Sequence, residues 1–423
     1  MNAALARFFY STLLRLATPF YLWSRWRRGG VEPLYRLALG ERLGFYKSPV
    51  KSSGWLWIHA VSLGETRAAA PLINALRERQ PGLRLLLTCS TATGREAGRE
   101  LLRDGDAQCW LPFDTPGAVQ RFFRHWQPKL GALMETEIWP NLLHHAPCPM
   151  VLANARLSEK SARRGRRFAA LLHPAAQRIT LALAQTEADA ARMRESGAPD
   201  VRVMGNLKYD LQPDEALVAR GRAWRKQLDR PVLLFAVSRE GEEAMLLRAW
   251  SSMTQDRKPL LAIVPRHPQR FDEVADLIRT AGLTLARRSS WNDVPDAAAL
   301  KADAWLGDSM REMPLYYGLA DVALLGGSFA PLGGQNLIEA SACGCPVVMG
   351  PHTFNFSEAS QLAKEAGAAE RVGDMAAGLT AALALCQNVS ARQEHAESAT
   401  RFANAHRGAA ARMANAITAV LEN

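Results

Sequence analysis

From Trp55 onward, short apolar runs alternate with segments of helical periodicity, and this alternation restricts the chain to few folds. The runs WLWIHAV (55–61), RLLLTCS (84–90), LGALMETE (130–137), MVLANAR (150–156), RITLALAQ (178–185) and VRVMGN (201–206) are separated by helical stretches such as 66–79, 94–103 and 187–196. Strands that read as nearly continuous apolar runs between helices belong to parallel sheets covered on both faces. The polar segment Tyr209 to Glu215, with Pro213 inside it, breaks the series. A second series follows: PVLLFAVS (231–238), PLLAIVPR (259–266), DVALLGG (321–327) and PVVMG (346–350). After Gly373 the chain is Ala-rich and helical in pattern to its end. With 423 residues, the expectation is an N-terminal segment over 1–30 and two doubly wound α/β domains over 31–210 and 211–423. Ligands of such sheets bind outside the carboxyl ends of the strands, so motifs at strand ends carry the most weight.

The charge balance adds a partner class. There are 52 Lys plus Arg against 41 Asp plus Glu, a formal net charge of +11, which favours anionic partners. No zinc-finger spacing, RNP1-like string or helix-turn-helix pattern accompanies the scattered arginines, so a nucleotide or an anionic lipid is favoured and nucleic acid is not expected. Six scattered cysteines with no CxxC or His/Cys cluster point to a reducing compartment and no structural metal. At the amino terminus, 4–23 is apolar and aromatic but interrupted by Arg7, Arg15 and Pro19, too broken for a spanning helix. Phe8, Phe9, Tyr10, Phe20, Tyr21, Trp23 and Trp26 beside Arg25, Arg27 and Arg28 suit an uncleaved helix lying on an anionic membrane. The alternative is a helix packed on its own domain.

Several strand ends carry candidate chemistry. HAVSLGE places Glu65 where the first helix begins; it can serve as a general base, or Ser62-x-x-Glu65 can be no more than a capping box. METEIWPNL ends another strand, and a period of two would set Glu135 and Glu137 on one side of an extended chain, facing either a substrate or solvent. NARLS is followed by Arg163, Arg164, Arg166 and Arg167, which suit a phosphate-bearing acceptor or form a solvated helix face. GNLKYD places Lys208 near the domain junction, as a site residue or a surface lysine. In the second half, VPRHPQRF puts Arg266 and His267 at a strand end. The glycine loop Gly326, Gly327, Gly333 and Gly334 leads into a helix from about Gln335, offering free N–H groups to a nucleotide, with Glu339 one turn in. The loop is neither a P-loop nor a GxGxxG after the first strand, which argues against ATPase and dehydrogenase chemistry.

Taken in order, HAVSLGE, METEIWPNL, NARLS, GNLKYD, VPRHPQRF, GDSM, GGSFAPLGGQN and MGPHTFNF resemble the 3-deoxy-D-manno-octulosonic acid (Kdo) transferases of Gram-negative bacteria. The resemblance implies a GT-B fold, two Rossmann-like domains facing a cleft. It also implies inverting transfer of Kdo from CMP-Kdo to the lipid A precursor at the cytoplasmic face of the inner membrane. Residues 31–210 would then bind the acceptor and 211–423 the donor. Carried over by position, Glu65 resembles the general base, and Glu135 and Lys208 the groups that assist the transition state. Pro265, Arg266, Met310, Arg311, Glu312, Asn336, Leu337, Ile338 and Glu339 resemble the CMP contacts. No cofactor is implied, and a DxD-like metal site is not apparent. Many family members have Gly where Arg311 stands, His for Gln335, and Pro-Leu for Leu337-Ile338. The rival readings are a non-catalytic lipid- or nucleotide-binding protein and a GT-B enzyme with another nucleotide sugar.

Overall fold

The computed structural model describes residues 2–47, 53–253 and 258–422; the outermost residues of the expected end segments, 1 and 423, lie outside them. The chain divides into two compact units, Met1–Leu211 with Arg407–Asn423, and Gln212–His406. In the first, β1 (Trp55–His59), β2 (Leu85–Cys89), β3 (Ala107–Trp110), β4 (Pro128–Met134), β5 (Met150–Ala155), β6 (Leu181–Ala184) and β7 (Val201–Val203) form one sheet in the order β3-β2-β1-β4-β5-β6-β7. Every pairing is parallel. In the second, β8 (Val232–Ser238), β9 (Leu260–Pro265), β10 (Leu285–Arg287), β11 (Ala304–Leu306), β12 (Val322–Leu325), β13 (Val347–Met349) and β14 (Ala369–Arg371) form another parallel sheet, ordered β10-β11-β9-β8-β12-β13-β14. The two doubly wound sheets agree with the apolar alternation. The strands absent from that reading are β3, β10, β11 and β14, each three or four residues long.

Side-chain alternation along β1 shows how the first unit is filled. Trp55 and Trp57 enter one core with Phe122, Phe123 and Trp126, while Leu56 and Ile58 enter the other with Leu72, Leu76 and Leu87. Gly131 on β4 has no side chain because Trp57 and Met150 fill the space: a Cβ there would lie 2.6 Å from the indole and 2.7 Å from the Met150 sulfur. The second core also contains Ala409, Met413, Ala414 and Ile417 from the last helix, Ala409–Glu422. This corrects the expected extent of the second domain, 211–423. The last helix returns to the first unit because its apolar face covers that sheet. The Asp210 carboxylate accepts from Gly408 N at 2.5 Å and Ala410 N at 2.6 Å, which places negative charge at the helix N-terminus.

The N-terminal helix, Ala3–Arg28, is part of the first unit and not a separate segment over 1–30. Tyr10 donates to Asp114 Oδ2 at 2.9 Å, and Ser11 donates to Asn141 Oδ1 at 3.1 Å. Asp114, buried, also accepts from the N–H groups of Asn141 and Leu142, at 3.1 and 2.7 Å. Farther along, Tyr21 stacks on Phe113 with ring centroids 4.1 Å apart and accepts from Arg42. On the opposite side, Leu5, Phe9, Leu13, Leu16, Phe20 and Trp23 recur at spacings of three and four and are all exposed. One face of the helix thus packs on its own domain, and the other is an exposed apolar stripe. No helix among the described residues is long and apolar enough to cross a membrane.

The docked face gives a stability test. Removing the Tyr10 hydroxyl leaves the buried Asp114 carboxylate short of a donor, so Tyr10→Phe should cost about 1–3 kcal/mol in denaturant unfolding. Phe9→Ser, on the exposed stripe, should stay within about 0.5 kcal/mol of the parent.

Candidate active site

The first unit gathers its acids at the carboxyl edge of the sheet. Ser62 caps the helix Leu63–Arg79, and Glu65 stands in the first turn. The Glu65 carboxylate takes the Val61 N–H on Oε2 at 2.8 Å and the Ser62 hydroxyl on Oε1 at 3.0 Å, while Glu65 N donates to Ser62 Oγ at 3.4 Å. Ser62 does cap the helix, but the backbone N–H that Glu65 takes in return is that of Val61, one residue before the cap; these bonds do not compete with a role as base, since they hold the carboxylate in one orientation. Burial raises the group from the usual carboxylate range to about 7; the Val61 and Ser62 hydrogen bonds oppose this, and the charges of Glu135 and Glu137 add to it. A carboxylate tuned to that range suits proton abstraction near neutral pH.

Glu135 follows the last residue of β4 with φ of 58°, in the left-handed region that non-glycine residues seldom occupy. The expected extended chain through Glu137 is thus corrected to a turn at Glu135 and Thr136, but both acids still act electrostatically on Glu65. Lys208 Nζ lies 4.0 Å from Glu135 Oε1, both side chains about a quarter exposed (23% and 25%). Lys208 reaches this place through a chain of amides. Asn206 Oδ1 accepts from Lys208 N, Asn206 Nδ2 donates to Gln185 Oε1, Gln185 Nε2 donates to the Asn154 carbonyl, and Leu207 N donates to Asn154 Oδ1, all within 2.9–3.0 Å. Asn154 and Asn206 lie in motifs visible in the sequence. Gln185 was missed, because a lone Gln at the end of an apolar run carries no signal. Arg163, Arg164, Arg166 and Arg167 are all exposed, on the helix Glu159–Arg166 and at its C-cap.

In the second unit the candidate donor contacts line the carboxyl edge of the adjacent strands β11, β9, β8 and β12. Pro265 ends β9, and Arg266 N donates to the Ser238 carbonyl at 3.0 Å, leaving the guanidinium exposed. Met310 is exposed, and Arg311 has φ of 66°, in the left-handed region that favours glycine. The Glu312 carboxylate is already engaged, accepting from Arg220, Arg288 and Ser309 at 2.8, 2.9 and 2.5 Å. Asn336 caps the helix Leu337–Ala342, which begins two residues later than expected; Leu337 and Ile338 are buried, so only their backbone can face a ligand. Glu339 is half-buried in the first turn.

The glycine loop differs from expectation. Its N–H groups are not free: the buried Glu242 carboxylate accepts from Gly327, Phe329 and Ala330 at 2.7, 3.0 and 3.2 Å, and from Arg239 at 3.0 Å. Gly334 N donates to the Gly327 carbonyl at 2.7 Å. Glu242, unrecognised in the sequence, thus supplies the anion that the loop was expected to take from a phosphate. The usable signal was topological: like Glu65, it is an acid in the first turn after the first strand of its sheet.

Two seven-stranded, doubly wound parallel sheets place the chain in the GT-B class. In accord with this, the fold is similar to HepE of Anabaena solved with UDP and glucose (TM-score 0.54, 15% identity, 87% of this chain and 99% of that one). It is also similar to UDP-GlcNAc 2-epimerase of Neisseria meningitidis (TM-score 0.56, 14% identity, 88% and 100%). The family described as 3-deoxy-D-manno-octulosonic-acid transferase (kdotransferase) matches residues 38–211. The 3-deoxy-D-manno-octulosonic acid transferase of Bordetella pertussis is 45% identical over 96% of this chain and 98% of that protein, and that of Haemophilus influenzae 35% over 98% and 99%. The chain belongs to the 3-deoxy-D-manno-octulosonic acid transferase family.

If Glu65 is the base, Glu65→Gln keeps the capping geometry and removes the proton acceptor. Transfer should fall about 10²–10⁴-fold in a turnover assay, with the unfolding midpoint nearly unchanged. Parental turnover would leave Glu65 a helix cap only.

Proposed function

We propose that the chain transfers Kdo from CMP-Kdo to the lipid A precursor in lipopolysaccharide core biosynthesis, by an inverting single displacement. Membership of the family supports the reaction class, and the oriented, desolvated Glu65 carboxylate is the observation that carries the mechanism. A sugar hydroxyl of the acceptor attacks the anomeric carbon of Kdo and loses its proton to Glu65. The bond from that carbon to the CMP phosphate oxygen breaks, and CMP leaves with the electron pair. Lys208 and Glu135 flank the acceptor side, where an ammonium beside a carboxylate can steady charge that develops in the transition state. On the donor side, Arg266 and the backbone around Met310–Glu312 and Asn336–Glu339 hold CMP, with Pro265 fixing where the Arg266 segment leaves β9. Incubating the protein with CMP-Kdo and lipid A precursor, then weighing the lipid, should show added Kdo. An unchanged lipid mass, or transfer from a UDP-sugar instead, would overturn the reading.

The same reading places the protein on the cytoplasmic side of the inner membrane. Support comes from the exposed stripe of the N-terminal helix, from Arg25, Arg27 and Arg28 in its last turn, and from the exposed arginines 163–167 next to Phe168, itself 63% exposed. Rings buried at headgroup depth with guanidinium groups on lipid phosphates bind by area and charge together. Because the other face of the helix is docked, point changes are a cleaner test than deletion of 1–28. Phe9→Ser with Leu13→Ser and Phe20→Ser should release the folded protein from anionic vesicles in co-sedimentation, and salt should weaken parental binding only in part. Undiminished sedimentation of the triple variant would move the membrane contact elsewhere.

A further inference from the structure

The turn between β11 and the helix Met313–Leu319 is fastened on both sides of two exposed residues, Met310 and Arg311. Gly307 opens it with no room for a side chain: a Cβ there would lie 2.7 Å from Val264 Cγ2 and 2.8 Å from the Tyr316 hydroxyl. Asp308, its side chain 2% exposed, takes the Ser289 N–H on Oδ1 at 2.8 Å, and the Ser289 hydroxyl and Arg287 Nε on Oδ2 at 2.6 and 2.7 Å. Ser309 Oγ lies 3.1 Å from the Tyr316 hydroxyl. Past the exposed pair, Glu312 Oε1 is shared by Arg220 and Arg288, and Oε2 takes the Ser309 hydroxyl. Three consecutive residues, Arg287, Arg288 and Ser289, where β10 runs into the short helix Arg288–Ser290, thus hold both acids of the turn.

These fastenings oppose a local cost. Arg311 has φ of 66°, and left-handed backbone is unfavourable for a residue with a side chain, persisting only where the surroundings over-determine it. The ion pairs themselves are not arranged for the tightest pairing. Two guanidinium groups crowd one carboxylate oxygen, and among the described residues the Nε of each is buried without a partner. What the arrangement secures is placement. Both cations lie over the ring of the buried Trp224, with Cζ 5.2 Å (Arg288) and 5.8 Å (Arg220) from its centroid, and Trp224 packs edge-on against Trp291 and Trp305. Next to Arg220, Gly221 sits so close to the helix Met313–Leu319 that a Cβ would lie 2.0 Å from the Leu315 carbonyl oxygen. A rigid aromatic floor and a close helix contact therefore fix the cations that hold Glu312.

We propose that Arg288, with Arg220 and Ser289, is a positioning residue of the donor site: the clamp on Asp308 and Glu312 keeps Arg311 in its left-handed conformation, and that conformation presents the backbone of Met310–Glu312 to CMP. The inference rests on the reading of this segment as a CMP contact and adds what holds the contact in shape. It also makes the Glu312 carboxylate an anchor of the turn, leaving nucleotide contact to the backbone. Affinity falls in proportion to the fraction of protein whose site has the binding shape. A loosened clamp therefore weakens CMP, and a residue at ease in left-handed backbone cancels the loss.

Calorimetric titration of the full chain with CMP tests this in a double-mutant cycle. Arg288→Met keeps an apolar stem over Trp224 and removes the charge. With Arg311 in place it should weaken CMP about tenfold, the order of the left-handed cost. In an Arg311→Gly background the same change should weaken it less than about twofold, and because losses are compared within each background, any contact of the Arg311 side chain itself cancels. A purely structural Arg288 would lower the unfolding midpoint in denaturant but give equal CMP losses in the two backgrounds. Equal losses, or unchanged CMP affinity in folded Arg288→Met, would overturn the proposal. Should Arg288→Met fail to fold, Ser289→Ala takes its place in the cycle. It removes one bond to Asp308 and leaves the Ser289 N–H and Arg287 on it, with a loss of about threefold expected beside Arg311 and almost none in the Arg311→Gly background. No CMP binding by the parent would instead sink the donor reading, and the clamp's role with it.

Discussion

A parallel strand covered on both faces can be polar only where it ends. Each interior residue of β1 is buried, and its two neighbours take its backbone hydrogen bonds, so the first place for an imidazole or a carboxylate is the carboxyl end. Because all strands of a sheet run the same way, these ends share one edge. His59 from β1, Glu135 after β4 and Asn154 near the end of β5 are brought together by topology, without any attraction among themselves. The acids in fact repel, and the fold holds them in place through neighbours: the Val61 N–H and Ser62 hydroxyl for Glu65, Lys208 for Glu135, Trp139 for Glu137.

Crowding several acids at a desolvated edge has a chemical product. Burial disfavours the ionised forms of Glu65 and Glu137 there, and hydrogen bonds to the charged form oppose it. Glu65 has two such bonds, from Val61 and Ser62. The second unit solves the corresponding problem differently. Glu242, after the first strand of that sheet, spends its charge on four backbone N–H groups and so shapes the glycine loop, turning a potential anion site into a rigid wall.

Much of this was legible in residues. The apolar alternation specified two doubly wound sheets, and the ordered motifs brought Glu65, Glu135 and Lys208 forward before any geometry. What stayed hidden was hidden for physical reasons. The last helix looks the same from sequence whether it covers the first sheet or the second, because Ala and Met faces carry no address; Asp210 supplies the address, 198 residues away from Gly408. Arg288 reads as one more scattered arginine, since nothing local encodes its bond to Glu312, 24 residues on. Likewise, glycines announce a loop that approaches something closely, but not that a carboxylate of the same unit has already filled it.

The central claim is that desolvation at the strand edge makes Glu65 a base near neutral pH. The direct measurement is a pH titration of glutamate side-chain carboxyl carbons by NMR, with the Glu65 signal assigned as the one missing from Glu65→Gln. A midpoint of about 7 is expected for the folded, unliganded protein. A midpoint in the ordinary carboxylate range, about 4.3, would contradict it.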